Sequence, residues 1–220
     1  MALGLLPGIP LFDGLAPPPL YRWVHPPAPL APENTPPDSL SAGVPLTPGG
    51  SPAKDVVTGD GQVLVQLPQG VFATMPGQTS VRIEITPVNP ATVPALPPRI
   101  TVQGNVYRIT TAYEPSGATA TAVSPFGVQL RYPVDATMVA YNPGNGWQLL
   151  STIPESAYLE VLGQGVTGSG LFAAVLTGVA PVKPARVPSW AFAATGVALV
   201  LAGLPALLAR RRPRAAGPPE

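Results

Sequence analysis

Residues 53–178 alternate apolar and polar positions with a period of two, which is the pattern of half-buried β-strands. In the clearest run, Val81, Ile83 and Ile85 alternate with charged residues. The strand candidates are Val63–Leu67, Val81–Ile85, Tyr107–Tyr113, Val128–Tyr132, Thr137–Tyr141, Trp147–Ser151, Tyr158–Leu162 and Gly170–Leu176. Short strands at this spacing predict an all-β fold, an Ig-like antiparallel β-sandwich.

Turn-forming residues separate these runs. The clearest hairpin joins Tyr141 to Trp147 through Asn142–Gly146, whose asparagine and glycine residues tolerate positive φ. The longest irregular connection is predicted at Pro87–Gly104, which holds four prolines between its ends. No segment before Val187 shows ten residues of helical periodicity, which argues against an α/β enzyme scaffold.

A different pattern covers Val187–Leu208, where twenty-two residues carry no charge. A helix of about 20 apolar residues crosses the hydrocarbon core of a bilayer, so this segment predicts one transmembrane helix. Trp190 lies near its start, at the flank of the predicted anchor, and four arginines follow its end, Arg210, Arg211, Arg212 and Arg214. Because such clusters stay cytoplasmic, we expect residues before the helix to lie outside.

Small residues recur every four positions along this predicted helix, as Ala194, Ala198, Ala202 and Ala206. Such a ridge allows two helices to approach closely and hints at self-association. An alanine-rich composition produces the same spacing by chance, so the oligomeric state stays open.

Proline marks the N-terminal segment, since 14 of the 33 prolines lie in residues 1–52. Proline lacks a backbone N–H, and we expect an extended, polyproline-like arm there. The predicted organisation is an arm at 1–52, a β-sandwich domain at 53–178, a proline-containing stalk at 179–186, a transmembrane helix at 187–208 and a basic cytoplasmic tail at 209–220.

Residues 1–16 are apolar at the start but lack a basic n-region, and Pro7 and Pro10 interrupt them. They resemble a degenerate or truncated secretory signal more than a functional one. Two explanations stay open. Either the true start lies upstream of Met1, or the predicted membrane helix itself directs insertion.

Charge and cysteine content exclude several classes of function. Residues 1–187 carry eight Lys/Arg and ten Asp/Glu. This near-neutral balance provides no positive electrostatic field to attract the phosphates of nucleic acid. The absence of cysteine excludes disulfides and thiolate chemistry. Two lysines beside ten arginines, with abundant Ala, Gly, Pro and Val, are typical of a GC-rich bacterial genome.

Candidate catalytic and metal-binding residues are sparse. His25 is the only histidine, and a zinc site needs three or four ligands at characteristic spacing. Ser169 lacks the strand–turn–helix context of a nucleophile elbow. Glu155 and Glu160 fall on a predicted loop and strand surface, where carboxylates are ordinarily solvated. We therefore expect no metal, no cofactor and no enzyme.

Tyr21, Arg22, Trp23 and His25 form the densest aromatic and cationic cluster of the arm. A guanidinium over an indole contributes about 0.5–1 kcal/mol when exposed. We expect Trp23 to dock the arm onto the sandwich, because an exposed indole among prolines would be an unprotected apolar patch. The alternative is an epitope for a protein partner or a glycan.

Three segments carry a family resemblance: GDGQVLVQLPQGVFA at 59–73, Val81–Val88, and PFGVQLRYPV at 125–134. They resemble the β-sandwich domain shared by zonula-occludens and netrin-receptor proteins, and GLFAAVL at 170–176 is similar to that domain's end. The chain also resembles uncharacterised bacterial membrane-anchored proteins that carry a Tyr-Arg-Trp-Val-x-Pro-Pro segment, here Tyr21–Pro27. Both resemblances imply an interaction or structural module without catalysis.

The sequence thus predicts a non-catalytic binding or assembly module of the bacterial cell envelope, anchored in the plasma membrane by a single pass with its C-terminus cytoplasmic. The expected partners are the lipid bilayer and either another envelope protein or cell-wall glycan, with no nucleic acid. The alternative is a surface carbohydrate-active or other hydrolytic module that uses carboxylates and an exposed tryptophan.

Overall fold

A computed structural model describes residues 20–155 and 158–178. These residues form two short 3₁₀ helices, Ala28–Glu33 and Pro90–Thr92, and eleven strands. The strands are β1 (Leu40–Pro45), β2 (Lys54–Val57), β3 (Val63–Leu67), β4 (Ser80–Val88), β5 (Ile100–Glu114), β6 (Phe126–Arg131), β7 (Met138–Asn142), β8 (Gln148–Leu149), β9 (Ser151–Glu155), β10 (Glu160–Val166) and β11 (Gly170–Thr177). The predicted all-β class is confirmed for this part of the chain.

The strands form two antiparallel sheets. The first sheet has the order β1-β4-β5-β11-β7-β8, and the second has the order β2-β3-β6-β10-β9. Strand β5 is the longest and pairs on one side with β4 and on the other with β11. The chain therefore forms a β-sandwich, and β5 lies in the middle of its first sheet.

The core lies between the sheets because each strand turns alternate residues inward. Ile83 and Ile85 of β4 meet Val65 of β3 and Val128 of β6 in one buried cluster. Burying a valine or isoleucine side chain contributes about 1.5–3 kcal/mol, so this alternation is the main source of stability. The period-two runs at Val63–Leu67, Val81–Ile85, Tyr107–Tyr113 and Val128–Tyr132 therefore predict the core-facing positions correctly.

A second, smaller cluster covers the outer face of the first sheet. Val93 and Leu96, from the loop between β4 and β5, pack against Val106 and Val175 there. The indole N–H of Trp147 donates to the carbonyl of Pro94 at 2.7 Å and holds the same loop. The predicted irregular connection was too long, because β4 continues to Val88 and β5 begins at Ile100.

Two predicted boundaries need correction. Strand β1 lies inside the segment assigned to the arm, and it pairs with β4 over its whole length. The sheet begins before residue 53 because residues 39–44 hold no proline and alternate inward. The single strand predicted at Trp147–Ser151 is two strands, since β8 pairs with β7 and β9 pairs with β10, with buried Leu150 between them.

Within residues 20–155 and 158–178, no helix is long and apolar enough to cross a membrane. The predicted span at 187–208 lies outside these residues. The same holds for its flanking residues Trp190, Arg210, Arg211, Arg212 and Arg214, and for the ridge of Ala194, Ala198, Ala202 and Ala206.

Candidate functional site

The arm, here residues 20–39, lies against one end of the sandwich, and two asparagine carboxamides hold its extended part. Asn105 of β5 accepts from the Val24 N–H at 2.9 Å and donates to the Arg22 carbonyl at 2.7 Å. Asn34 accepts from the Trp23 N–H and donates to the Trp23 carbonyl, both at 2.9 Å. The two amides thus replace the strand partners that a proline-framed segment lacks.

On the sandwich side, Gln62, Asn105 and Tyr107 form a buried polar group that we call the cradle. Asn105 and Gln62 are only 2% and 1% exposed. The Tyr107 hydroxyl donates to the Gln62 side-chain oxygen at 2.8 Å, and the Gln62 amide donates to the Arg22 carbonyl at 3.2 Å. Because buried polar groups are costly when unpaired, the cradle needs the arm as its partner.

Tyr21 is the arm residue that enters deepest. Its hydroxyl accepts the backbone N–H of Asn105 at 2.8 Å. A Cβ at Gly104 would overlap this hydroxyl, and Gly104 has a φ of 111°, so only glycine fits there. Burial raises the pKa of Tyr21 to about 12, against the smaller opposing effect of the Asn105 hydrogen bond.

An ion pair and a buried carboxylate attach the arm to the turn between β2 and β3. Arg22 binds Asp38 at 2.8 Å, and the Asp38 backbone N–H donates to Asp60 at 2.9 Å. Asp60 lies in the turn between β2 and β3, where it also accepts from the Thr58 hydroxyl at 2.7 Å. The arm is therefore joined to both sheets, through Asn105 of the first and through the turn at Asp60 beside the second.

Trp23 is half-buried and packs edge-on against Tyr21, with ring centroids 5.0 Å apart. It lines a concavity of about 430 Å³ on the arm's outer side, together with Leu20, Leu30 and Glu33. Leu20 and Leu30 are 87% and 51% exposed, whereas His25 is exposed without lining the concavity. The structure thus brings Tyr21 and Trp23 together and pairs Arg22 with a carboxylate.

Sequence reasoning missed the cradle and Asn34. Asparagine is depleted in strands, so Gly104-Asn105 inside the run that leads to Tyr107 was a signal of a special backbone site. The docking of the arm by Trp23 stays a prediction. Tyr21 makes the direct hydrogen bond to the sandwich, and Trp23 packs edge-on against Tyr21.

Several described carboxylates have protein partners. Arg82 lies 3.1 Å from Glu84 and 3.6 Å from Glu114. Glu160 accepts a hydrogen bond from the Gln129 amide. The hydroxyls of Ser169 and Thr111 share a hydrogen bond of 3.2 Å. In the part of the chain that the structure describes, no three His, Asp or Glu residues come together as a metal site.

Compared with protein-family models, with curated proteins and with solved structures, the chain gives no match in any of the three. The resemblance to the zonula-occludens and netrin-receptor sandwich stays a prediction.

Proposed function

We propose that this chain is a non-catalytic binding or assembly module, held outside the bacterial plasma membrane by a single C-terminal helix. One observation carries the proposal, namely that both ends of the described chain lie at the same end of the sandwich. Tyr21 meets β5 at Gly104 and Asn105, and the Gly178 N–H donates to the Arg99 carbonyl at 3.1 Å. In the described part of the chain, the opposite end and the outer face of the second sheet carry exposed apolar residues, Val123 and Ile153, that a partner could contact.

The finer fold assignment belongs to this proposal. We infer an Ig-like sandwich of the zonula-occludens and netrin-receptor type, supported by two antiparallel sheets and by strands at the quoted segments. Such folds carry many functions, so the fold alone names no ligand. The proposed partners are the bilayer and another envelope protein or cell-wall glycan.

The membrane part of the proposal rests on sequence. Residues 187–208 are uncharged and a cluster of arginines follows them, which favours a cytoplasmic C-terminus. The segment at 179–186 between the sandwich and this span contains two prolines.

A hydrolytic module is less well supported by the described residues. General acid–base work near neutral pH needs a carboxylate whose pKa is raised by burial beside a cleft. Glu84 and Glu114 instead form ion pairs with Arg82, at 3.1 Å and 3.6 Å. The concavity on the outer face of the second sheet is lined by one carboxylate, that of Asp55.

The test is photo-crosslinking in the native host, with a benzophenone amino acid at one exposed position per surface. We choose Leu30 on the arm concavity, Ile153 on the second sheet and Val123 at the opposite end. A binding module should give a discrete adduct from one of these surfaces and no turnover of ester, peptide or glycan substrates. Turnover that is lost in Glu84→Gln or Glu114→Gln would overturn the proposal in favour of a hydrolase.

A further inference from the structure

The outer face of the second sheet carries a row of polar residues across its strands. Asp55 of β2 pairs with Gln66 of β3, and Gln66 pairs with Gly127 of β6. On the next strand, β10, the corresponding position is Gln164, which pairs onward with Ser151 of β9. The row therefore places two carboxamides and one carboxylate around a glycine.

This arrangement produces a hollow of about 520 Å³ rather than a flat sheet face. Gly127 supplies no side chain, and a Cβ there would lie 3.1 Å from Leu162 and 3.3 Å from the Gln66 side-chain oxygen. The pairing of β10 with β6 shifts between Gly163 and Val166, and this bulge places Gln164 and Gly165 at the rim. Ligand sites typically occupy cavities of about 300–1,000 Å³.

The polar side chains of the hollow have unused hydrogen-bonding capacity. Among the described residues, Gln66, Gln164 and Asp55 have no side-chain partner within the protein, whereas Gln129 in the next row donates to Glu160. Each carboxamide offers two donors and an acceptor, and the carboxylate offers acceptors only. A ligand that presents both hydroxyl donors and hydroxyl acceptors matches this set.

Charge and strand order narrow the ligand class. None of the described residues that line the hollow is a cation, so phosphate, sulfate and carboxylate groups would meet only the Asp55 charge. Strands β3, β6 and β10 each have two neighbours, so an extended peptide cannot add to their edges there. Recognition must use side chains.

Apolar surface lies beside the polar groups. Pro68 and Pro125 form walls of the hollow, and the adjacent row across the sheet includes Val57, Leu64 and Ile153. Val57 and Ile153 are 49% and 46% exposed. A sugar ring presents hydroxyls at its edge and C–H groups on its faces, which fits a polar hollow with such walls.

We propose that this hollow binds one or two units of a neutral glycan, with Gln66, Gln164 and Asp55 as hydrogen-bonding residues. The inference rests on the proposed binding function and names a ligand class for it. The proposed binding site includes no residue of the arm or of the predicted membrane helix.

The test is isothermal titration of the full chain, purified in a detergent without a sugar headgroup, with chitotetraose and with cellotetraose as probes. We expect at least one probe to bind with a Kd of about 1 mM or below. Gln66→Ala and Gln164→Ala should each weaken binding about 3- to 10-fold, as expected for one lost hydrogen bond. Gly127→Ala should also weaken binding, because the added methyl group would fill part of the hollow.

The matched control is Gln148→Ala, an exposed glutamine of β8 that lies outside the hollow and should leave the Kd unchanged. Each variant is accepted only if its melting temperature equals that of the parent within about 2 °C. The inference is overturned if neither probe binds, or if the hollow variants bind like Gln148→Ala. If only the glycan inference fails, the crosslinking adducts should still form. If the proposed binding function fails, neither the crosslinking adducts nor glycan binding should be observed.

Discussion

Replacing Asn105 with alanine should release the arm from the sandwich. The side chain makes two hydrogen bonds to the arm backbone and two longer ones, of 3.2 Å each, to Gln62 and Tyr107. In Asn105→Ala the Val24 N–H loses its acceptor, while the Arg22 carbonyl keeps the Gln62 amide.

The expected cost follows from these losses. An unsatisfied buried group costs about 1–3 kcal/mol, and each further lost hydrogen bond about 0.5–1.5 kcal/mol. Val24 is only half-buried and water reaches part of it, so we expect a total of about 2–4 kcal/mol. For a domain of this size the melting temperature should fall by roughly 5–15 °C.

Urea unfolding of the full chain measures this cost, and two controls isolate its cause. Asn89→Ala removes an exposed cap whose side chain accepts from the Ala91 N–H, and it should cost less than about 1 kcal/mol. In a chain that lacks residues 1–38, Asn105→Ala should cost less than about 1 kcal/mol, because its arm partners are gone. The reasoning is refuted if Asn105→Ala matches Asn89→Ala, or if its cost is the same with and without the arm.

Three further predictions concern the same site. The pKa of Tyr21, raised to about 12 from about 10, means that the folded chain keeps this proton longer, so stability is full below pH 10 and falls between about pH 10 and 12. Tyr21→Phe should make that fall less steep in unfolding free energies measured from pH 8 to 11, without removing it, because burial also raises the pKa of Tyr107. An unchanged slope would contradict the burial of Tyr21. Gly104→Ala should lower the melting temperature more than Gly144→Ala, which has open space around its Cβ position and a similar φ of 118°, and equal losses in the two variants would argue against the close approach of Tyr21. Trp23→Ala should cost about 1–3 kcal/mol, less than a fully buried tryptophan, and an unchanged melting temperature would leave Trp23 free to act as an epitope.

The fold class could be predicted because inward residues of the strands repeat with a fixed period. Val81, Ile83 and Ile85 are fully buried, and the residues between them lie on the outer face, as their alternation indicated. Strand β1 was missed since the prolines on either side of it masked a short alternating run. Periodicity alone also could not reveal that the chain changes sheets at Leu150, because both strands follow the same period there.

The arm site could be predicted only in part, because its contacts link residues far apart in the chain. The pairs Arg22 with Asn105 and Arg22 with Gln62 span 83 and 40 residues. The sequence identified the aromatic cluster at Tyr21 and Trp23 but not the cradle residues of the sandwich that the arm contacts. The hollow at Gly127 was likewise invisible in sequence, since it depends on the register of four strands.

The most direct test of the account is the protease accessibility of the sandwich in intact spheroplasts, with one tag in the domain and another after Glu220. An outward-facing module predicts that added protease removes the domain and spares the C-terminal tag, because the arginines at 210–214 resist translocation. A protected domain with loss of the C-terminal tag would contradict presentation outside the membrane, and protection of both tags would contradict it equally.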